Sequence, residues 1–198
     1  MKPLDAKTSN PRLGAPSFPL GHRLFRLAWN LVWSLCGRWT PVPLFAWRRF
    51  LLRRFGARID RTARIYPGVE VWYPPNLAMA AYSCLGRDVN CYCMDRIELR
   101  THAIVSQGAH LCTGTHDVDD ANFQLVARPI VVGANAWIAA EAFVGPGVTV
   151  GEGAVLGARA VTFRDLDPWT IYAGNPARKL RRRFEQDKPG IFPVRLNS

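Results

Sequence analysis

The run Cys112-Thr113-Gly114-Thr115-His116-Asp117 sets one imidazole among hydroxyls and a carboxylate, and Asp119, Asp120 and Asn122 follow closely. An imidazole, with an ordinary pKa near 6.5, is the side chain best matched to moving a proton at neutral pH. His102 and His110 precede it, at intervals of eight and six residues. Cys36, Cys84, Cys91, Cys93 and Cys112 are odd in number and have no CxxC spacing. They predict neither a disulfide framework nor a zinc site, but buried free thiols in a reducing compartment. Cations form two clusters. One is Arg48, Arg49, Arg53, Arg54, Arg58 and Arg61; the other is Arg178, Lys179, Arg181, Arg182 and Arg183. A formal net charge of +11 calls for an anionic partner. Charge alone admits nucleic acid, an anionic membrane or a polyphosphorylated cofactor; no nucleic-acid module is recognisable, so nucleic acid is not expected.

These groups need a scaffold, and the chain of 198 residues, 48% hydrophobic, is long enough to bury a core. From Ile59 onward aliphatic residues recur every six positions: Ile59, Ile65, Val71 and Leu77, then Leu99, Val105 and Leu111, then Val132, Ile138, Val144, Val150 and Leu156. Small or compact residues follow four positions later, as at Ala63, Ala103, Ala136 and Ala154, and glycine often follows directly, as at Gly133, Gly145, Gly151 and Gly157. A period of six is neither helix nor plain strand; each unit is a short strand plus a turn, and three units close a triangular coil. Stacked coils bury what one coil cannot. The glycines are expected to supply positive φ at tight corners.

The repeat breaks twice. Residues 82–98 lose clean phase, and 21 residues separate Leu111 from Val132, with His116 inside that gap. Insertions in a rigid solenoid project as loops, where function concentrates. Upstream, residues 1–20 are proline-punctuated and read as an extended or mobile arm. Residues 21–55 read as two helices, the first marked by Leu24, Leu27, Ala28, Leu31, Val32 and Leu35, the second running from about Phe45 to Phe55. They are expected to cap the main body; peripheral contact with an anionic membrane surface is a second reading, compatible with the first. The apolar run Leu24–Leu35 is too short to span a bilayer, and no secretory leader is recognisable, so a cytoplasmic location is expected.

Thr-Gly-Thr-His-Asp at 113–117, Asn135-Ala136-Trp137-Ile138, Pro146-Gly147-Val148-Thr149-Val150-Gly151 and Ala173-Gly174-Asn175-Pro176-Ala177 resemble the hexapeptide-repeat acyltransferases. The likeness is greatest to the branch of maltose, galactoside and nodulation-factor O-acetyltransferases, and within it to the colanic acid biosynthesis group. It covers about residues 50–183. The resemblance implies an all-β body, a left-handed parallel β-helix at 56–170 with a catalytic loop at 112–130, an N-terminal helical extension at 21–55 and a C-terminal capping segment at 171–198. It further implies an acetyl-CoA-dependent O-acetyltransferase acting on a sugar or glycan hydroxyl in surface polysaccharide biosynthesis, as a homotrimer with the site between subunits and without a metal.

By position, His116 is the implied general base. Asp117 or Asp119 is a candidate to orient it, and Asn90 and Asp95 are implied contacts to the acceptor. Trp137 lines the implied pantetheine groove, Ala140 and Ala158 meet the pantetheine arm, and Arg178 and Arg181 meet the CoA phosphates. Arg159 and Phe163 depart from the family pattern. Each residue has an ordinary alternative: a loop histidine, a packed tryptophan, a solvated arginine face. The γ-class carbonic anhydrases share the β-helix, but their histidines stand five apart, unlike the spacing here. Two other readings remain: the same fold acylating a non-sugar acceptor, and a non-catalytic trimeric scaffold.

Overall fold

The computed structural model describes residues 3–9 and 14–183. Pro11 of the arm and the 184–198 part of the expected C-terminal segment lie outside the described residues. The body is a three-faced parallel β-helix. Its first face stacks Arg58–Ile59, Leu77–Met79, Ile97–Leu99, Ile130–Val132 and Thr149–Val150. The second stacks Arg64–Ile65, Cys84–Leu85, Ile104–Val105, Trp137–Ile138, Val155–Leu156 and Thr170–Ala173, and ends on the antiparallel strand Arg178–Arg182. The third stacks Glu70–Val71, Asn90–Tyr92, His110–Cys112, Phe143–Val144 and Val161–Thr162. Ile65, Leu85, Val105, Ile138 and Leu156 form one wholly buried column, each the partner of the next.

Two expectations need correction. Residues 82–98 are regular coil. Ile59 pairs with Met79 and Met79 with Leu99, so the early coils are 20 residues long, against 18 between Val132 and Val150. The two extra residues sit at the corner after the third face, which the 3₁₀ turn Pro74–Asn76 fills in the first coil. Met79, not Leu77, therefore continues the column. The glycine argument also changes. Gly133, Gly145, Gly151 and Gly157 do not have positive φ; the corners with positive φ are taken by residues such as Tyr82, His102, Asn135 and Arg159 as well as by Gly147 and Gly153. What requires glycine is the next coil: a Cβ on Gly133 would lie 2.7 Å from Glu152 N, and one on Gly151 2.6 Å from Pro168 N.

The helices are α1 (Ala6–Ser9), α2 (Leu20–Cys36) and α3 (Phe45–Arg54). A solenoid end exposes strand carbonyls, which need partners. Here side chains supply them. Arg48, wholly buried, donates from Nε to Ile65 O (2.6 Å) and from its terminal nitrogens to Thr40, Pro41 and Val42. Arg49 donates to Ala63 O, Arg53 to Ile59 O, Trp33 to Val69 O and Trp29 to Val71 O. Half of the N-terminal basic cluster is thus structural rather than a footprint for an anion.

Trp29 and Trp33 are buried, whereas Leu20, Leu24, Leu27, Leu31 and Leu35 face away from the body, each more than half exposed. The leucines that mark the helical period are on the outer side. The arm is not free either: Ala6 N donates to Gln124 Oε1, Gln124 Nε2 donates to Leu4 O, and Phe18 stacks on His22. Among the described residues no helix is long and apolar enough to cross a membrane.

Candidate active site

The 21-residue gap folds as a hairpin. Gly114–His116 pairs antiparallel with Leu125–Ala127, and His116 stands opposite Leu125. The imidazole is exposed, stacks on the Phe123 ring (centroids 4.3 Å apart, 13° between planes), and holds Nδ1 2.8 Å from Phe123 O. A carbonyl oxygen only accepts, so Nδ1 carries the hydrogen and Nε2 keeps its lone pair. The orienting group is therefore a backbone carbonyl, where a carboxylate was expected. Asp117 Oδ1 instead accepts from Asp119 N within the loop.

His116 opens onto a cavity of about 500 Å³, within the range typical of small-molecule sites, walled by Trp72, Tyr92, Met94, Arg23, Arg26 and the arm around Phe18. Trp72, Tyr92 and Arg26 also wall a second cavity of about 420 Å³, which contains Asn90. The two form one groove between α2 and the third face. Asn90 thus lies along the groove and not in the histidine's own cavity. Asp95 lies elsewhere: its Oδ1 accepts from Arg96 N, and it lines a separate cavity beyond the hairpin with Gln124 and Val126. Asn90 and Tyr92 share a strand face, so Tyr92 could have been found from the i, i+2 rule. Arg26, Trp72 and Phe123 carry no sequence signal, because distant segments bring them here.

The other candidates occupy the second face or, for Ala140 and Ala158, the turns that follow its strands. Ile104, Trp137, Val155, Ile171 and Arg181 are successive partners in one outward row. Trp137 is 45% exposed and donates from Nε1 to Ser106 Oγ at 2.9 Å. Ala140 is half-buried and Ala158 exposed. Arg178 and Arg181 are exposed and, among the described residues, ion-paired to no carboxylate. Arg159 is held by Glu141 at 2.6 Å, so its charge is already matched. The cavities around His116 include none of these residues; within one chain the hairpin and the second face are separate.

His102 stacks on Tyr82 and His110 meets Phe143 edge-on, both in the coil walls. Among the described residues no three His, Cys, Asp or Glu side chains converge as metal ligands would. The described cysteines are free; Cys91 and Cys93 are buried, whereas Cys36 is exposed, against expectation.

Residues 129–164 match the model for the bacterial transferase hexapeptide (six repeats). The chain is 42% identical over 159 residues to the protein of Escherichia coli (strain K12) named "Putative colanic acid biosynthesis acetyltransferase WcaF", covering 80% of this chain and 87% of that one. The chain belongs to the hexapeptide-repeat acetyltransferases. Its fold is shared with a galactoside acetyltransferase solved in complex with coenzyme A (TM-score 0.77, 21% identity, 91% of each chain covered). It is shared too with a maltose O-acetyltransferase from Clostridium difficile 630 (TM-score 0.74, 21% identity, 84% of this chain and 90% of that one). The departures at Arg159 and Phe163 do not disturb membership.

Proposed function

We propose that the chain transfers an acetyl group from acetyl-CoA to a hydroxyl of a sugar or glycan intermediate, in bacterial surface polysaccharide biosynthesis. The observation that carries the chemistry is His116, with Nδ1 committed to Phe123 O and Nε2 free beside a cavity of small-molecule size. Nε2 takes the acceptor's proton as that oxygen bonds to the thioester carbonyl carbon. The C–S bond then breaks, and the proton passes from the imidazolium to the leaving sulfur. No acyl-enzyme is needed. Such a base contributes about 10²–10⁴-fold.

The second face suits the donor. Trp137, Ala140 and Ala158 leave a shallow path for a thin pantetheine arm, and the unmatched guanidinia of Arg178 and Arg181 suit phosphates. Because hairpin and second face are separate within one chain, a neighbouring copy in a homotrimer is proposed to bring them together. Asn90 serves the acceptor as a polar contact of the groove, a role that Asp95, in the separate cavity beyond the hairpin, and Asp117, accepting from Asp119 N, do not share within one chain.

We place the enzyme in the cytoplasm, resting on an anionic membrane. The support is the leucine row of α2, extended by exposed Trp39, Trp47 and Phe50, with Arg23 and Arg54 exposed on the same helices. An apolar row of this length beside cations suits an interface of acyl chains and acidic headgroups. Flotation with phosphatidylglycerol vesicles, lost in Leu24→Glu/Leu31→Glu, tests it.

The catalytic reading is tested by following CoA thiol release with a panel of glycosides and amines. Acceptor-dependent release that falls at least about 100-fold in His116→Ala supports it. Equal rates in wild type and variant would remove His116 from the mechanism, and preference for an amine would favour a non-sugar acceptor.

A further inference from the structure

The helix α2 presents three sides. Trp29 and Trp33 face the core, the leucines face outward, and between them Arg26 and Asn30, one helical turn apart, face the groove. Arg26 is the only residue of α2 that walls both cavities. Its guanidinium carbon lies over the Trp72 ring, 3.9 Å from the centroid, a cation–π contact at the groove wall. Its Nε is buried and, among the described residues, meets no hydrogen-bond acceptor.

A half-buried guanidinium ordinarily has a carboxylate partner, because desolvating the charge is costly. Here Glu70, the only carboxylate walling the groove among the described residues, is bound to Arg38 at 2.8 Å. Burial pulls the Arg26 guanidinium below its ordinary pKa. The groove therefore holds a cation that no carboxylate of its lining pairs with. A neutral sugar would leave that charge unmatched.

We infer that the acceptor carries an anionic oxygen group, a phosphate or a carboxylate, which docks on Arg26 while the neighbouring hydroxyl reaches His116. This deepens the acetyltransferase reading and rests on it for calling the groove the acceptor's. It assigns Arg26 as a specificity-determining residue. A guanidinium matches either oxyanion with a fork of donors, which a lysine would not.

The experiment reads binding without turnover. Galactose 1-phosphate, methyl galacturonide and methyl galactoside are titrated calorimetrically into wild type, Arg26→Gln, Arg26→Lys and Arg181→Gln. The expected result is that at least one anionic sugar binds wild type about tenfold or more tighter than the neutral one. That preference should vanish in Arg26→Gln, survive in part in Arg26→Lys and persist in Arg181→Gln. The two anionic sugars tell a phosphate from a uronate. No preference in wild type, no binding by either anionic sugar, or a preference unchanged in Arg26→Gln would overturn the inference. Failure of His116-dependent transfer would instead remove the catalytic reading while leaving the binding result intact.

Discussion

His116 and Phe123 are joined twice, by a 2.8 Å contact from Nδ1 to the backbone carbonyl and by parallel rings 4.3 Å apart. The two contacts separate on mutation, because Phe123→Ala keeps the carbonyl and loses the ring. A stacked pair is worth about 0.5–1.5 kcal/mol. Phe123→Ala should therefore slow thiol release by about 2–10-fold, against the far larger loss in His116→Ala. Equal losses in both would mean that the ring, and not the carbonyl, sets the imidazole.

The end of the solenoid depends on side chains donating to bare carbonyls. Trp29→Phe keeps the bulk and orphans Val71 O, and should cost about 1–3 kcal/mol in urea unfolding. Arg48→Met orphans several carbonyls at once and should cost at least about 3 kcal/mol, with no rescue by lysine, which lacks the fork. An Arg48→Met protein as stable as wild type would refute this account of the cap.

Mild acid should weaken the fold as buried imidazoles are forced to take up protons. Burial holds the imidazoles of His110 and His22 below their ordinary pKa. Between the folded and unfolded pKa values the unfolded chain binds more protons, so stability is full above about pH 6.5 and declines as pH falls toward the folded value. Thermal midpoints measured across that window should fall, and His110→Phe should flatten the slope in part. An unchanged slope would show that His110 is solvated.

Thiol labelling should follow burial. Cys36 is exposed and should react with maleimide first, and Cys84 and Cys112 more slowly. Cys91 and Cys93 should stay unmodified in the folded protein; burial pushes the Cys93 thiol up to about 11. Peptide mapping after brief labelling decides it, and early modification of Cys93 would contradict the packed core.

The coil was legible in the chain because every hexad repeats the same demand. One aliphatic residue must fill the prism, and one small residue must fit beside it, so Ile138, Ala142 and Val144 announce their surroundings locally. The helices of the extension were legible for a similar reason. The loop bearing His116 was marked by the length of its gap and by the polar run at 113–117, but its hairpin register was not.

What the folded chain decided were relations across distance. Leucine spacing defines a helix but not its inward side. That side of α2 follows from Trp29 and Trp33, whose indole nitrogens reach the carbonyls of Val71 and Val69. The role of Gly133 depends on how near the next coil passes, and the partner of His116 on hairpin register. Arg26 meets Trp72 across 46 residues of chain, and no local pattern encodes that contact. Burial and pairing are set by which surfaces meet, and a one-dimensional pattern records only the periods that each surface obeys.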